Sequence, residues 1–296
     1  MAVTGRGTQD DPYIVHDYYE LRATFPKQAK DEQGQDMGYT NPCYIELVSD
    51  INGNDYGAEF EWEGLYTPSG YYEEASHTYL DLKGHTIKNI IIKTGQWFAC
   101  RNRGGITISN GKIINVFGGG AAGLLSVNYL NHVSVGANLT GSNSGNTYLN
   151  INSMNACSIY FICKSAIRTI FSSGSRDLNI KNSDFYFDAY FFDLAFANVG
   201  VDGCRFRGRL TNKSGYGKSC NYNFTTKNSV YDLEWVNEYG DNPLFDNANT
   251  VFDSSNVLNK DKGSVYSLSP IQVTTEQLAD ADYLTNRGFL VVDISE

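Results

Sequence analysis

The sequence has no long apolar run and little positive charge. No stretch of the 296 residues is apolar for long enough to span a bilayer. The opening MAVTGRGTQDDPYIV has no apolar core behind a basic start, so it does not resemble a secretory signal. The formal net charge of −10 argues against a general binder of nucleic acid or of acidic lipids. We therefore expect no membrane partner, no nucleic-acid partner, and folding in a cytoplasm.

The chain contains no CxxC pair, and its six cysteines are scattered. Most zinc sites and redox-active dithiols show such paired spacings. Their absence, together with the expected cytoplasmic folding, favours free and mostly buried thiols over metal ligands or disulfides. The cysteines are Cys43, Cys100, Cys157, Cys163, Cys204 and Cys220.

The common catalytic motifs are missing as well. The sequence has no GxSxG, no HExxH and no P-loop, and its four histidines lie far apart. We therefore assign no catalytic residue, no metal ligand and no cofactor. The sequence favours a protein that is not an enzyme, without deciding the question.

Proline is scarce, with 6 residues, whereas glycine (29) and tyrosine (21) are abundant, which suits an all-β protein. One phrase recurs: apolar, any, turn-forming, any, any, apolar. Period-two alternation forms a strand with one buried face, and an adjacent Asn or Gly tolerates the left-handed backbone of a sharp turn. The copies are Leu82, Gly84, Ile87; Ile108, Asn110, Ile113; Ile151, Ser153, Ala156; Ile180, Asn182, Phe185; Val201, Gly203, Phe206; and Phe252, Ser254, Val257, with an imperfect copy that places Ala137 at the turn.

This repetition predicts stacked coils, each covering the apolar face of the previous one. A β-sandwich is the alternative, but a sandwich lacks a phrase that recurs in phase. The segments LDLKGHTI and ITISNGKI resemble the right-handed parallel β-helix of pectate lyases and phage tailspikes. The resemblance covers residues 43–262 and implies an all-β, right-handed, single-stranded parallel β-helix. Because this fold carries many functions, it implies no particular activity.

Residues 1–42 differ from the coils. We predict a strand at Tyr13–Val15, followed by a short helix with Asp17 as its N-cap and Glu20 reaching back as in a capping box. Pro26 stops this helix. An amphipathic helix at the end of a solenoid covers apolar surface that would otherwise be open, so this segment is predicted to be a helical N-terminal cap.

Residues 263–296 are predicted to form a short C-terminal docking segment of a helix and a strand. Thr274 and Gln277 have the spacing of a capping box, Gly288 is placed as the C-terminal cap, and FLVVDI follows. A helix this short is marginal by itself and must pack against something. The segment resembles the terminal parts of structural proteins from phages of Gram-positive bacteria.

The run DFYFDAYFFD and the following CRFRGRL contain the candidate site. Asp184 and Arg205 occupy the same phase of their phrases, and adjacent coils stack about 4.8 Å apart, so these two residues are predicted to be neighbours. Glycosidases need two carboxylates about 5 to 9 Å apart. The predicted glycan or subunit contacts are Asp184, Tyr186, Asp188, Tyr190, Arg205 and Arg207, with Asp193 and Arg209 in the same two segments.

Two interpretations of this cluster stay open. One is a sugar-binding or sugar-cleaving groove in which Tyr186 and Tyr190 stack against sugar rings. The other, which we favour, is an interstrand ion pair beside a ladder of stacked Phe and Tyr, with the outward rings covered by another subunit. The arginine row is either a contact to an acidic partner surface or a solvated strand face.

The resemblance and the missing motifs together favour a structural component of a bacteriophage virion. We expect a tail spike, tail fibre or head fibre that contacts host-surface glycans. A polysaccharide depolymerase on the virion, acting as hydrolase or lyase on the same fold, is the main alternative, and a bacterial surface adhesin is the third. The resemblance to phage spikes implies a homotrimer that has other virion proteins as partners and is assembled in the host cytoplasm.

Overall fold

A computed structural model of the protein shows a succession of short parallel strands. It describes residues 3–25, 42–67, 77–101, 104–119, 122–140, 147–163, 169–172, 177–190, 194–195, 198–212, 223–237, 250–252, 255–259, 262, 271–280, 282 and 286.

The strands pair in parallel with the strands one coil earlier and one coil later, and they form three stacks. The first stack contains, in order, β1 (Tyr13–Val15), β2 (Cys43–Leu47), β5 (His77–Asp81), the first part of β8 (Gly105–Gly118), the middle of β9 (Gly123–Leu139), the end of β10 (Thr147–Asn155), β13 (Leu178–Lys181), β16 (Asn198–Asp202), β18 (Asn223–Lys227) and β20 (Thr250–Phe252).

The other two stacks follow the same rule. The second contains β3 (Ile51–Asn52), β6 (Thr86–Ile92), the ends of β8 and β9, β11 (Ser158–Cys163), β14 (Asp184–Tyr190), β17 (Arg205–Asn212), β19 (Val230–Asn237), β21 (Val257–Asn259) and β22 (Ile271–Val273). The third contains β4 (Leu65–Tyr66), β7 (Trp97–Cys100), the starts of β9 and β10, β12 (Thr169–Ser172) and β15 (Leu194–Ala195).

This architecture is a parallel β-solenoid, which confirms the predicted fold class. The handedness of the coil and the segment boundaries at residues 42/43 and 262/263 stay predictions. The short connections between the strands of one coil include a turn of 3-10 helix at Gly53–Tyr56.

The apolar residues of the repeated phrase point into the coils, as predicted. Ile108, Ile180 and Val201 are buried and lie in one column of the first stack, in register through Leu130 and Met154. Each coil thereby covers the apolar face of its neighbour, and one continuous core runs along the solenoid.

The register predicted for Ile151 was wrong. Its side chain is buried, but it pairs with Val127, while Met154 takes the position beside Ile180. Strand β10 runs without a break from the third stack into the first, so the phrase of this coil begins three residues later than predicted.

One residue with a left-handed backbone makes a sharp corner in successive coils. Asn110, Asn182 and Gly203 have φ angles of 56°, 48° and 65°, as the phrase predicted. Two predicted corners were wrong: Ser153 lies within β10, and Ala137 is buried within β9. Regular backbone on both sides of these two residues leaves no turn there.

In those two coils the left-handed residues are Ala156 and His132, with φ angles of 52° and 54°. An alanine has no side-chain preference for this conformation. The register set by the neighbouring coils therefore overrides local preference, which is why a search for Asn and Gly missed Ala156. Ser254, the corner predicted for the last copy of the phrase, lies outside the described residues.

Hydrogen bonds between successive coils hold the corners in place. The backbone N–H of Ala156 donates to the carbonyl of Lys181 at 3.1 Å, and that of Asn182 donates to the carbonyl of Asp202 at 3.0 Å. The side-chain amide of Asn182 also donates to the Asn155 side chain at 3.3 Å. Each corner is thus fixed by the coil stacked on it.

Small polar side chains fill the inside of the corners. The Ser183 hydroxyl donates to the carbonyl of Lys181 at 2.7 Å and accepts from the backbone N–H of Cys157 at 3.1 Å. Ser229 accepts in the same way from the backbone N–H of Cys204 at 3.1 Å. The backbone N–H groups at these buried positions are therefore satisfied.

The prediction of free thiols is confirmed for the described cysteines, four of them buried and one half-buried. These are Cys43, Cys157, Cys163 and Cys204, and Cys100. Burial raises the pKa of the Cys157 thiol to about 11 and the pKa of the Cys204 thiol to about 12. Cys220 lies outside the described residues.

The N-terminal helix α1 spans Tyr18–Thr24. Asp17 is its N-cap, because the side chain accepts from the backbone N–H of Glu20 at 2.8 Å. The predicted second half of the capping box was wrong. The Glu20 carboxylate reaches one residue further back and accepts from the backbone N–H of His16 at 2.8 Å and contacts the His16 ring at 3.0 Å. That this helix closes the end of the solenoid stays a prediction.

The C-terminal helix α2 spans Thr275–Ala279 and begins with the predicted capping box. The backbone N–H of Thr274 donates to the Gln277 side chain at 2.9 Å, and the Thr274 hydroxyl accepts from the backbone N–H of Gln277 at 3.2 Å. The helix ends at Ala279, with Asp280 in extended conformation. The predicted C-terminal cap, Gly288, lies outside the described residues.

The left-handed corners give a stability prediction. Asn182→Ala should lower the free energy of unfolding by about 1 kcal/mol, because a side chain with a Cβ and no local hydrogen bond is strained at positive φ. Ala156→Gly should raise it by about 0.5 to 1 kcal/mol, because this alanine already bears that strain. Urea unfolding measures both, and Asn182→Gly is the control. A loss of stability in Ala156→Gly would contradict the prediction.

The thiols give a second prediction. Because the Cys157 and Cys204 thiols stay protonated at neutral pH, iodoacetamide should leave both unlabelled in the folded protein and label both in denaturant. Peptide mapping by mass spectrometry reads each cysteine separately, and half-buried Cys100 is the internal control. A reducing agent should leave the melting temperature unchanged; a large drop would reveal a disulfide.

Candidate functional site

A ladder of aromatic rings inside the second stack supports the site. Phe185, Phe206 and Tyr231 come from successive coils and stack nearly parallel, with ring centroids 4.8 and 5.0 Å apart. All three are buried. The predicted ladder of Phe and Tyr is therefore confirmed for these positions, and it fixes β14, β17 and β19 relative to one another.

The residues that alternate with this ladder form the outer face of the second stack. The register pairs Asp184 with Arg205 and Tyr186 with Arg207. The prediction that Asp184 and Arg205 are neighbours is therefore confirmed. The next strand places Asp232 beside Arg207. Opposite charges from three coils are thereby brought together on one surface.

The C-terminal helix packs against this outer face. Leu278 of α2 is buried in a small apolar cluster with Val230, Val257 and Val273, which come from three successive strands of the second stack. Leu278 thus packs the C-terminal helix onto a cluster of three valines. Through this contact helix α2 forms one side of a surface depression, which we call the wall, beside the charged residues of β17 and β19.

Polar contacts tie the same wall to β19 through Asp232. The side-chain amide of Asn259 donates to the Asp232 carboxylate at 2.6 Å and to the Thr275 hydroxyl at 3.1 Å. The Lys262 ammonium lies 2.9 Å from the same carboxylate and donates to the Asp232 carbonyl at 3.2 Å. Asp232 therefore serves as the anchor of the wall.

The strands and the wall border an open cavity of about 580 Å³, which we call the outer groove. It is lined by Tyr186, Asp188, Arg205, Arg207, Gly208, Arg209, Asp232, Glu234, Lys262, Thr275, Leu278 and Ala279. Gly208 has a φ of 96°, and a Cβ there would overlap the carbonyl oxygen of Phe187, so only glycine fits at this point of the strand.

The most buried charge pair of the site lies beneath the groove. The Arg207 guanidinium donates two hydrogen bonds to the Asp184 carboxylate, at 3.0 and 3.3 Å. The Asp184 side chain is 1% exposed and that of Arg207 is 24% exposed. Burial raises the pKa of Asp184, and the positive charges of Arg207 and Arg205 lower it only in part.

Arg205 lies on the same strand but has a different environment. Its Nε atom is buried and has no hydrogen-bond partner among the described residues, and the described chain holds no carboxylate within ion-pair distance of it. Burial lowers the pKa of Arg205, the charge of Arg207 lowers it further, and the charges of Asp184 and Asp232 act in the opposite direction.

The remaining charges of the groove are more exposed. Arg209 lies 3.8 Å from Glu234, and both side chains are about half exposed, at 53% and 46%. Asp188 is the register partner of Arg209 on the other side. An exposed pair such as Arg209 and Glu234 contributes little to stability.

A pair of tyrosines lies on the same outer face, one coil before the groove. Tyr160 and Tyr186 stack with ring centroids 4.8 Å apart and an interplanar angle of 8°. Tyr186 lines the groove, and Tyr160 is 38% exposed. Together the two rings form an aromatic stack that continues into the charged groove.

Most of the predicted contact residues are thus brought together. Tyr186, Asp188, Arg205 and Arg207 line the groove, and Asp184 lies under it as the buried partner of Arg207. The backbone of Tyr190 ends β14, but its side chain lies outside what the structure describes, as does all of Asp193.

Several residues that complete the groove were not predicted from the sequence. They are Asp232, Glu234, Lys262, Thr275 and Leu278. A signal for the first two was present in the segment NSVYDLEWV. It repeats the turn residue and the alternation of the preceding coil, and it places acidic residues where that coil has arginines.

The described part of the chain contains neither a metal-binding cluster nor a membrane-spanning helix. No group of three or more His, Cys, Asp and Glu side chains there is placed to hold a metal ion. No helix in that part has the length and apolar character needed to cross a membrane.

The buried ion pair gives a third prediction. Arg207→Gln should lower the free energy of unfolding by about 3 kcal/mol at neutral pH, because it leaves the Asp184 carboxylate buried without its main partner. The folded state holds the Asp184 proton to higher pH than the unfolded chain, where the pKa is about 3.9. The contribution of Asp184 to stability therefore falls as the pH rises from the pKa in the unfolded chain to the higher pKa in the folded protein. Arg207→Gln widens this pH interval.

Urea unfolding across this pH range measures the effect. The cost of Arg207→Gln should shrink towards acid pH, and adding Asp184→Asn should recover part of it. Arg209→Gln is the matched control on the same strand and should change stability by less than about 0.5 kcal/mol. Equal costs for the two arginine variants at every pH would contradict the assignment.

Comparison with known proteins adds a single distant similarity. No protein-family model matches the sequence, and no curated protein matches it. Among solved structures, similarity is found to the crystal structure of a "putative immunoglobulin A1 protease" from Bacteroides ovatus, with a TM-score of 0.47 and 11% identity. The alignment covers 95% of this chain and 89% of that chain. Similarity at this level supports no statement about the activity of this protein, and the fold assignment rests on the strand registers.

Proposed function

We propose that this protein is a structural β-solenoid of a bacteriophage virion that contacts host-surface glycans through the outer groove. The observation that carries the proposal is the stacked pair Tyr160 and Tyr186 leading into a charged cavity of about 580 Å³. Flat aromatic rings bind the apolar faces of sugars, and convergent charged groups orient their hydroxyls. The virion location rests on the resemblance of the coil phrases and of the C-terminal segment to phage proteins.

The state of the carboxylates favours binding over cleavage. Glycoside hydrolysis needs an acid with a raised pKa and a second carboxylate that reach the same glycosidic bond. Asp184 has the raised pKa, but it is 1% exposed and is held by Arg207. Asp232 is engaged by Lys262 and Asn259. A depolymerase on the same virion is therefore the second candidate, with Asp188 as a further carboxylate that lines the groove.

Exposed aromatic and aliphatic side chains support the proposed self-association. Tyr79 and Tyr129 project from the first stack, and Ile91 and Phe117 form a register pair on the second. Apolar side chains grouped in this way mark contacts between proteins more often than solvent-facing surface. We propose a homotrimer with other virion proteins as further partners.

A binding experiment tests the proposed function. The purified protein should bind some members of a panel of bacterial capsule and cell-wall polysaccharides, and Tyr160→Ala should weaken binding about tenfold, equivalent to about 1.4 kcal/mol. Tyr129→Ala, which removes an exposed ring from the first stack, should leave it unchanged. Antibodies against the protein should decorate phage particles from the source strain.

The same panel separates binding from cleavage. We expect no new reducing ends after prolonged incubation. New reducing ends that disappear in Asp188→Asn would overturn the binding assignment in favour of a depolymerase. Failure to bind any polysaccharide, with unlabelled particles, would overturn the proposed function altogether.

A further inference from the structure

An arginine that forms no ion pair or Nε hydrogen bond with the described residues lies in the wall of the outer groove. Arg205 lines the cavity, and its Nε atom is buried with no hydrogen-bond partner in the described chain. A guanidinium carries five N–H donors in a fixed plane and remains charged in proteins. Buried donors left without acceptors are rare in native structures, and each one calls for an explanation such as a bound ion or ligand.

The neighbouring carboxylates are committed elsewhere. Asp184 accepts two hydrogen bonds from Arg207, and Asp232 is engaged by Lys262 and by Asn259. The groups nearest to Arg205 in its own column of the stack are Asp184 on one side and Val230 on the other.

The packing around Arg205 keeps its side chain near this position. Its neighbour in sequence, Phe206, is locked between Phe185 and Tyr231 in the aromatic ladder. Val230 belongs to the apolar cluster that Leu278 closes. The start of the Arg205 side chain is therefore fixed by packed residues on both sides, with the open groove in front of it.

We propose that the outer groove binds an anionic substituent of a sugar, a carboxylate or a phosphate, on the guanidinium of Arg205. This inference rests on the proposed glycan-binding function and adds the chemical class of the ligand. The planar fork of Arg205 matches the two oxygens of such a group, and Val230 of the apolar cluster lies beside it. Tyr186, on the neighbouring strand, lines the same groove.

The stability of Arg205 variants also bears on this assignment. Burial and the charge of Arg207 lower the pKa of Arg205, so the surroundings of this side chain oppose its positive charge. An anion in the groove would offset that opposition. Arg205→Met should therefore leave the melting temperature of the free protein unchanged or higher, whereas a purely structural arginine would lower it on removal.

The test uses inorganic phosphate, glucuronate and glucose as probes on the full chain. Phosphate and glucuronate should shift the Arg205 Nε–H resonance in nitrogen-15 spectra in a saturable way and should raise the melting temperature, while glucose does neither. The stronger of the two anions identifies the substituent. Arg205→Met should abolish the rise in melting temperature, and Arg6→Met, an exposed arginine that does not line the groove, should retain it.

Three outcomes would overturn the inference. They are an Arg205 signal that neither anion moves, equal and non-saturating shifts of Arg205 and Arg6, and an unchanged anion effect in Arg205→Met. If polysaccharides bind while Arg205 stays silent to both anions, the inference fails and the proposed function stands. If the anions bind at Arg205 but no polysaccharide does, the anion site stands and the glycan assignment fails.

Discussion

Parallel hydrogen bonding between successive coils is the constraint on which the whole structure depends. It places each residue directly beside its counterpart one coil earlier, so columns of like position run along the solenoid. Inside, this produces the aliphatic column through Ile108 and Ile180 and the aromatic ladder through Phe185 and Phe206. Because a slip of one residue would turn every side chain to the opposite face, the register is strongly specified wherever the inside is apolar.

The outer groove is a consequence of that register. Charges that lie more than twenty residues apart in sequence, such as those of Asp184 and Arg207, meet because their strands are neighbours. Once there, the pair is expensive to desolvate and is tolerated because two hydrogen bonds satisfy it. Arg205 is the exception to this balance, because no described carboxylate is left for it. The imbalance distinguishes this surface from an ordinary solvated strand face.

The corner residues show how tertiary structure can override local preference. Asn182 and Gly203 suit a left-handed backbone by residue type, and both were predicted correctly. Ala156 does not, yet the backbone hydrogen bond from its N–H to Lys181 holds it at a φ of 52°. A pattern of residue types therefore identifies most corners. It failed in the two coils whose left-handed residues are Ala156 and His132.

The sequence by itself determined the coil architecture, the inward columns and the neighbourhood of Asp184 and Arg205, because these follow from a period-two alternation repeated in phase. It could not determine that Asp184 pairs with Arg207 rather than with its register partner Arg205, since that choice depends on side-chain reach across two strands. Nor could it place Leu278 on the valines of the second stack. Helix α2 is too short to be stable by itself, so the place where it packs depends on the apolar cluster that it covers.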